Sequence, residues 1–198
     1  MIKLMVASDI HGSAYYCKKM LEAFDREQAE RLLLLGDILY HGPRNDLPEG
    51  YAPKEVIGML NPLRDKLLCI RGNCDTEVDQ MVLKFPIMAE YCFLELPVSA
   101  DSGSRMLTIM ASHGHTVNPK TSPPMKGTDI LLNGHTHIPA CEQMRDGEGC
   151  EYHYLNPGSV SIPKEGSKHS YMIYESGTFI WKSLEGEEYM TWKTDSRF

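Results

Sequence analysis

Two pairs of residues with the same spacing suggest metal chemistry. Asp9-Ile10-His11 and His135-Thr136-His137 each set two ligand-type side chains two positions apart. In extended backbone, residues i and i+2 project to the same side, so each pair can converge on one point. Carboxylates and neutral imidazoles together suit borderline divalent ions such as manganese, iron, cobalt, nickel or zinc. A lone histidine near a strand end is most often a surface or core residue. Here four of the eight histidines, His11, His113, His135 and His137, stand at the ends of three apolar runs, a pattern that such a reading explains poorly.

The placement recurs along the chain. Ile2 to Ala7 leads into Ser8-Asp9-Ile10-His11-Gly12, Leu32 to Leu35 into Gly36-Asp37, and Leu67 to Ile70 into Arg71-Gly72-Asn73-Cys74-Asp75. Leu107 to Ala111 leads into Ser112-His113-Gly114-His115, and Ile130 to Leu132 into Asn133-Gly134-His135-Thr136-His137. Short continuous apolar runs are the pattern of buried strands. In α/β sheets the loops at the carboxyl ends of strands gather along one crevice. Five segments are thus predicted to build one site.

The elements between the runs must bring those ends together. Ala14 to Arg26 sets Cys17, Met20, Leu21 and Phe24 at helical spacing, giving a β-α-β start. A second helix is expected from Pro53 to Leu60, with proline in its first turn. Right-handed crossovers then make this half mostly parallel. In the second half, short strands are expected at 90–96, 106–111, 138–144, 150–155, 171–174 and 179–184, read as a meander of hairpins. Asp101-Ser102-Gly103-Ser104, Asp146-Gly147-Glu148-Gly149 and Ser176-Gly177 supply its turns. The predicted fold is α/β: a four-layer α-β-β-α sandwich of two mixed β-sheets flanked by helices, in a single domain over residues 1–198. Loops at 40–51 and 118–127, rich in glycine, proline and polar residues, each follow a ligand-bearing loop and are expected to wall the pocket.

Composition narrows the function. A net charge of −7 argues against a protein that coats nucleic-acid backbone, so no extended nucleic-acid binding is expected. It leaves room for a small phosphorylated substrate, because local charge at a metal site is set by the ion. The six cysteines form no CxxC pair and sit mostly in apolar runs, which reads as reduced thiols in the cytoplasm. The chain opens directly on a strand without a signal-peptide pattern, and no run reaches the ~18 apolar residues of a membrane span.

Taken in order, the blocks Asp9-x-His11, Gly36-Asp37, Gly72-Asn73, His113-Gly114 and Gly134-His135-x-His137 resemble the calcineurin-like metallophosphoesterases. The resemblance covers roughly residues 2–160 and extends to Asn156-Pro157-Gly158-Ser159, which is similar to the small bacterial and archaeal phosphodiesterase branch. It implies two divalent ions: one held by Asp9, His11 and His137, the other by Asn73, His113 and His135, with Asp37 bridging. Two such ions about 3.5–4 Å apart can share a hydroxide nucleophile and hold phosphoryl oxygens. Manganese is the expected ion, from the resemblance and from the lack of thiolates in the implied set; zinc, iron, cobalt and nickel are alternatives. Asp37, Asn73 and His113 form the expected catalytic centre.

One departure stands out. In the family's most active phosphatases the residue after Gly-Asn is a histidine able to protonate the leaving group; here it is Cys74. A thiol is a poor donor to an alkoxide, and Cys74 could simply fill space. Asn73, Cys74, His115 and Arg44 are the candidates for substrate contact. His115 could instead support His113, and Arg44, with His41 in the same loop, could be solvated. Asp75 is expected to orient Asn73 or a metal-bound histidine. His153 and His169 read as structural, and Asn156 to Ser159 as a turn supporting the site. The aromatic C-terminal segments (Tyr171, Tyr174, Phe179, Trp181, Tyr189, Trp192) read as a packing surface or as an exposed edge for a homo-oligomer.

The function expected is therefore a metal-dependent phosphodiesterase that hydrolyses a small phosphodiester by attack of a metal-bridging hydroxide. The alternatives are a phosphomonoesterase, a nuclease on short nucleic acid, or a non-catalytic protein-interaction scaffold on the same fold. An intact ligand set weighs against the scaffold.

Overall fold

The computed structural model describes residues 2–98 and 105–194. Three strands and their crossovers come first: β1 (Lys3–Ala7), α1 (Ala14–Glu27), β2 (Arg31–Leu34), α2 (Pro53–Leu60), a 3-10 turn (Asn61–Lys66), β3 (Leu67–Cys69) and α3 (Glu77–Val82). Eight strands follow: β4 (Tyr91–Val98), β5 (Arg105–Ser112), β6 (Ile130–Leu132), β7 (Pro139–Arg145), β8 (Glu151–Pro157), β9 (Ser170–Glu175), β10 (Thr178–Ser183) and β11 (Glu188–Lys193). They form two mixed sheets, in the orders β11-β10-β9-β1-β2-β3 and β4-β5-β6-β8-β7.

Alternation within the apolar runs explains the layering. On β1 and β2, Met5, Ala7, Leu32 and Leu34 face α1 and α2, packing with Cys17, Met20, Phe24, Val56 and Leu60. Their neighbours Leu4, Val6 and Leu33 face the second sheet and meet Leu107, Ile109, Ile130, Leu132 and Leu155. A strand buried on both faces needs apolar residues at every position, which is why these runs are continuous rather than alternating. The outer face of the second sheet is covered by the irregular segment after β5, through Val117 and Met125 packed on Met110, Leu131, Tyr152 and Tyr154.

The second half is less of a meander than expected. Hairpins do form at β4–β5, β7–β8 and β9–β10–β11. Between them β5, β6 and β8 run parallel, because long connections return the chain to the same end of the sheet. The expected turn at Asp101-Ser102-Gly103-Ser104 lies outside the described residues. Pro97 sits within β4, tolerated because β4 is an edge strand.

The C-terminal strands end in a sheet edge, β11, where Tyr189 and Trp192 are partly buried, but their other aromatics are core residues. Tyr171, Tyr174, Phe179 and Trp181 are buried in the core, and the Trp181 indole donates to the Asn156 carbonyl at 2.7 Å. The most exposed aromatics among the described residues are Tyr91 and Phe93 on β4. Two elements were not predicted: β11, and α3, whose Thr76 and Asp79 form a capping box.

Candidate metal centre

The loops that follow the parallel strands β1, β2 and β3 carry Asp9, Asp37 and Asn73, and those that follow the parallel pair β5 and β6 carry His113 and His135. Hydrogen bonding continues past the strand ends: Asp9 N–H donates to Gly36 O at 3.1 Å, His11 N–H to Asp37 O at 2.8 Å and Gly134 N–H to His113 O at 2.9 Å. The glycines in these motifs allow the loops to touch. A Cβ on Gly36 would collide with the Gly72 amide, and one on Gly72 with the Asp37 carboxylate.

All seven candidate ligands come together, and five of them do so at a conformational cost. Asp9, His11, Asp37, His135 and His137 have φ between 48° and 66°, in the left-handed region that side chains with a Cβ rarely adopt. Strain of this kind, of order 1–3 kcal/mol per residue, concentrates at functional sites. No sequence signal marked it beyond the adjacent glycines.

The imidazoles are oriented from behind. Nδ1–H of His11 donates to Tyr40 O at 2.8 Å, that of His113 to Leu35 O at 2.7 Å and that of His137 to Ile162 O at 2.6 Å. A carbonyl can only accept, so in the neutral rings each Nε2 carries a lone pair, and these lone pairs point inward. His11 Nε2 faces His137 Nε2 at 3.3 Å, and His113 Nε2 faces Asn73 Oδ1 at 3.1 Å and His135 Nδ1 at 3.2 Å. The Asp9 carboxylate adds Oδ1 at 3.3 Å from His137 Nε2 and 3.5 Å from His11 Nε2. Asp37 Oδ2 lies between the clusters, 3.4 Å from His113 Nε2 and 3.7 Å from His11 Nε2.

Acceptors facing acceptors in a buried site repel one another unless a cation sits among them. Ligand bonds of about 2.1 Å place adjacent donor atoms about 3.0–3.4 Å apart, which is the spacing of the closer pairs here. Asp9 Oδ1 is buried without any hydrogen-bond partner, the expected condition of an atom whose partner is an ion. Asp9, His11 and His137 form one group able to hold a metal, and Asp9, Asp37 and His113 another. The residues present therefore fit divalent cations.

Without a cation, protons take up the same role. Burial opposes a charged His113, but its hydrogen bond to Asp37 and the charges of Asp9 and Asp37 raise it to about 9. Burial and the His113 charge push His135 down to about 4. Burial would raise Asp9 and Asp37, yet the surrounding histidines hold Asp9 well below the usual carboxylate range and lower Asp37 as well.

Asp75 differs from expectation. It does not reach Asn73 or a histidine; its buried carboxylate accepts the backbone N–H groups of Asp37 at 2.8 Å, Ile38 at 2.9 Å and Gly72 at 2.7 Å. It thereby fixes two candidate-ligand loops through their main chains. Cys74 is buried; its N–H donates to Asp37 Oδ1 at 2.7 Å and its Sγ accepts from Asn73 Nδ2 at 3.1 Å. Its thiol also falls within a possible ligand group with His11 and Asp37. Burial and the nearby carboxylates push that thiol up, so it remains protonated.

A cavity of about 420 Å³ opens beside the cluster, lined by Asp37, Asn73, Cys74, His135 and His137 and walled by Arg44 from the 40–51 loop. Asn45, Thr136 and Lys164 also line it; of these only Lys164 lies outside the segments expected to build the site. His115 does not line it. It lies in a neighbouring cavity of about 410 Å³, with Asn118 and Pro119 of the second expected loop. His41 packs edge-on to Tyr40 and Tyr51 instead of facing the cavity. The end of β8 and the segment after it brace the site: Asn156 Nδ2 donates to Gly134 O at 2.8 Å, and Ser159 and Ser161 both donate to Asp9 O at 3.0 Å. His169 stacks on Tyr16 and His153 packs on Trp192, both away from the cavity.

Two mixed sheets whose parallel strands deliver converging aspartates and histidines to one crevice define a metal-dependent phosphoesterase architecture. Residues 2–178 match the calcineurin-like phosphoesterase superfamily domain, and the chain belongs to that family. It is 47% identical over 176 residues to phosphodiesterase YfcE of Escherichia coli K12, covering 89% of each chain. The solved structure of the phosphoesterase YfcE from E. coli superposes with a TM-score of 0.83 at 40% identity, covering 98% of this chain and 100% of that one. An archaeal phosphodiesterase shares the fold, with a TM-score of 0.59 at 19% identity over 98% of this chain and 100% of that one.

Proposed function

We propose that this protein is a phosphodiesterase that hydrolyses a small phosphodiester with two divalent ions, manganese being the working ion. The observation that carries this is the inward convergence of three backbone-anchored Nε2 lone pairs on Asp9 and Asp37, with Asp9 Oδ1 left without a partner. Asp9, His11 and His137 would hold one ion and Asn73, His113 and His135 the other, with Asp37 between them. Bound ions of this kind supply a nucleophile from water and draw charge from the phosphoryl oxygens.

The chain's own residues do the rest. The carbonyls of Tyr40, Leu35 and Ile162 fix the tautomer and direction of three imidazoles, so the site is organised before metal arrives. Asp75 locks the backbone that carries Asp37. Cys74, a protonated and buried thiol, gives little proton-transfer help to a leaving alkoxide, which favours substrates whose leaving groups are already stable as anions. The reduced thiols fit a cytoplasmic enzyme, since all six cysteines are free.

Chelated protein, verified metal-free, should not hydrolyse bis(p-nitrophenyl) phosphate, and manganese should restore the activity. Under the same conditions p-nitrophenyl phosphate should be the poorer substrate. Undiminished activity without metal contradicts the metal dependence, and preference for the monoester contradicts the diesterase assignment.

A further inference from the structure

The cavity beside the metal centre has a charge pattern unlike the rest of the chain. Acidic residues outnumber basic ones by 27 to 20 overall. Yet among the described residues Asp37 is the one carboxylate lining the cavity, and it is buried among the histidines, while two exposed basic residues, Arg44 and Lys164, also line it. Neither makes an ion pair among the described residues, which is equally true of other exposed cations such as Lys18 and Lys54; what sets these two apart is that both line the cavity.

Both cations stand on backbone tied to the candidate ligands. The Arg44 loop begins at Tyr40, whose carbonyl orients His11, and is pinned by Asn45 Nδ2 donating to His41 O at 2.8 Å; a Cβ at Gly42 would crowd Cys74 Sγ. Lys164 N–H donates to His137 O at 3.2 Å, and its own carbonyl accepts from Ser167 N–H at 3.0 Å and Ser167 Oγ at 2.7 Å, closing a tight turn. These two loops lie far apart in sequence, yet each is hydrogen-bonded to a histidine of the same group, so the backbone that carries each cation is fixed relative to the candidate ligands.

We infer that Arg44 and Lys164 hold a second, non-reacting anionic group of the substrate, and that the site is built for phosphoanhydride-linked diesters such as a nucleoside diphosphate joined to a second group. The inference rests on the phosphodiesterase reading and names its substrate class. A diester with two neutral arms gives these cations nothing to neutralise; a pyrophosphate linkage places its second phosphoryl group one bond from the reacting one. Guanidinium and ammonium groups are the usual partners of such oxygens. In the reaction, the oxygen of one water forms a bond to the phosphorus at the metals and the bridging P–O bond breaks. The electron pair leaves on the bridging oxygen, so one product departs as a phosphate monoester dianion, the other is a monoester monoanion that keeps one proton of the water, and the second proton goes to solvent. That leaving group is stable without a proton donor and departs into the field of the two cations.

The test uses the full chain loaded with manganese and two probes. Steady-state rates on ADP-ribose and on bis(p-nitrophenyl) phosphate are compared for the wild type and for R44Q/K164Q. The wild type should cleave ADP-ribose to AMP and ribose 5-phosphate, and the substitutions should reduce its preference for ADP-ribose over the neutral-armed diester by about tenfold or more, mainly through KM. Calorimetry with the methylene-bridged analogue of ADP-ribose and with the methyl ester of AMP gives a readout independent of turnover. The wild type should bind the analogue more tightly, and the double variant should lose that advantage. Cleavage of bis(p-nitrophenyl) phosphate without cleavage of ADP-ribose, or an unchanged preference in the variant, overturns the inference and leaves the phosphodiesterase reading standing. Cleavage of neither by metal-loaded protein overturns both.

Discussion

Strand β1 has a buried cluster of charge at each end, and the two clusters are satisfied in opposite ways. At its start, the Glu27 carboxylate accepts from Tyr171 Oη at 2.8 Å and from Lys182 Nζ at 3.0 and 3.2 Å, with Lys3 Nζ at 3.5 Å. Arg26 donates to the same tyrosine at 3.2 Å and to Leu184 O at 3.0 Å. Donors meet acceptors throughout. Past its end, Asp9, His11 and their neighbours turn acceptors toward one another, and Asp9 Oδ1 has no partner. Burial and charge are common to both ends, so neither marks function by itself. The informative difference is completion: the chain satisfies the Glu27 cluster alone, while the other cluster leaves converging acceptors that a cation would complete.

The largest expected effect comes from the end that depends on metal. Asp37→Asn removes a carboxylate proposed to serve both ions, and should lower kcat/KM on bis(p-nitrophenyl) phosphate by more than about 100-fold, beyond the 10–100-fold typical of losing a supporting partner. Retention of wild-type turnover with two bound metals would show that Asp37 is not the bridge.

Asp75→Asn should have an effect within that 10–100-fold range, although Asp75 is not among the proposed ligands. The amide can keep one acceptor where the carboxylate now receives three backbone N–H groups, so the Asp37 and Gly72 loops lose part of their fixing. Metal affinity measured by competition with a chelating dye should weaken together with activity. Unaltered metal affinity would confine Asp75 to folding.

At the self-satisfied end, Glu27→Gln should leave catalysis untouched and lower unfolding stability by about 2 kcal/mol, because Lys182 loses its buried partner and keeps only the exposed Glu188. Burial would raise the Glu27 carboxyl, but hydrogen bonds with Lys182 and Tyr171 and the charges of Lys182 and Lys3 lower it. A carboxyl lowered in the folded state contributes stability above its unfolded value of about 4.3. That contribution is lost as pH falls through the folded value. The gap between wild type and variant in urea midpoint should therefore be full at neutral pH and close in acid; a gap that persists at low pH would point to packing in place of charge.

Much of this contrast could be read from residue order. The five ligand-bearing loops follow from apolar runs that end in glycine and a polar residue, and α2 has the expected bounds because Pro53 starts it. What escaped depends on backbone conformation and long-range return. Left-handed φ at Asp9, His11, Asp37, His135 and His137 is imposed by the meeting of loops, and no residue type announces it. Asp75 acts through main-chain amides, which carry no side-chain signature. Lys164 reaches the cavity because its turn hydrogen-bonds to His137, a contact invisible in a linear reading. The aromatics of β9 and β10 could be read as packing or as contact surface; they are core because β9 pairs with β1 at the centre of its sheet and is covered on both faces.

The central claim is that the incomplete cluster is completed by two neighbouring cations bridged by Asp37. It is tested most directly by equilibrium dialysis of chelated protein against manganese, followed by electron paramagnetic resonance of the loaded sample. A dinuclear centre predicts two manganese ions per chain with the broadened spectrum of an exchange-coupled pair, and loss of that coupling in Asp37→Asn. One ion or none per chain, or two ions giving the sharp six-line spectrum of isolated manganese, would contradict it.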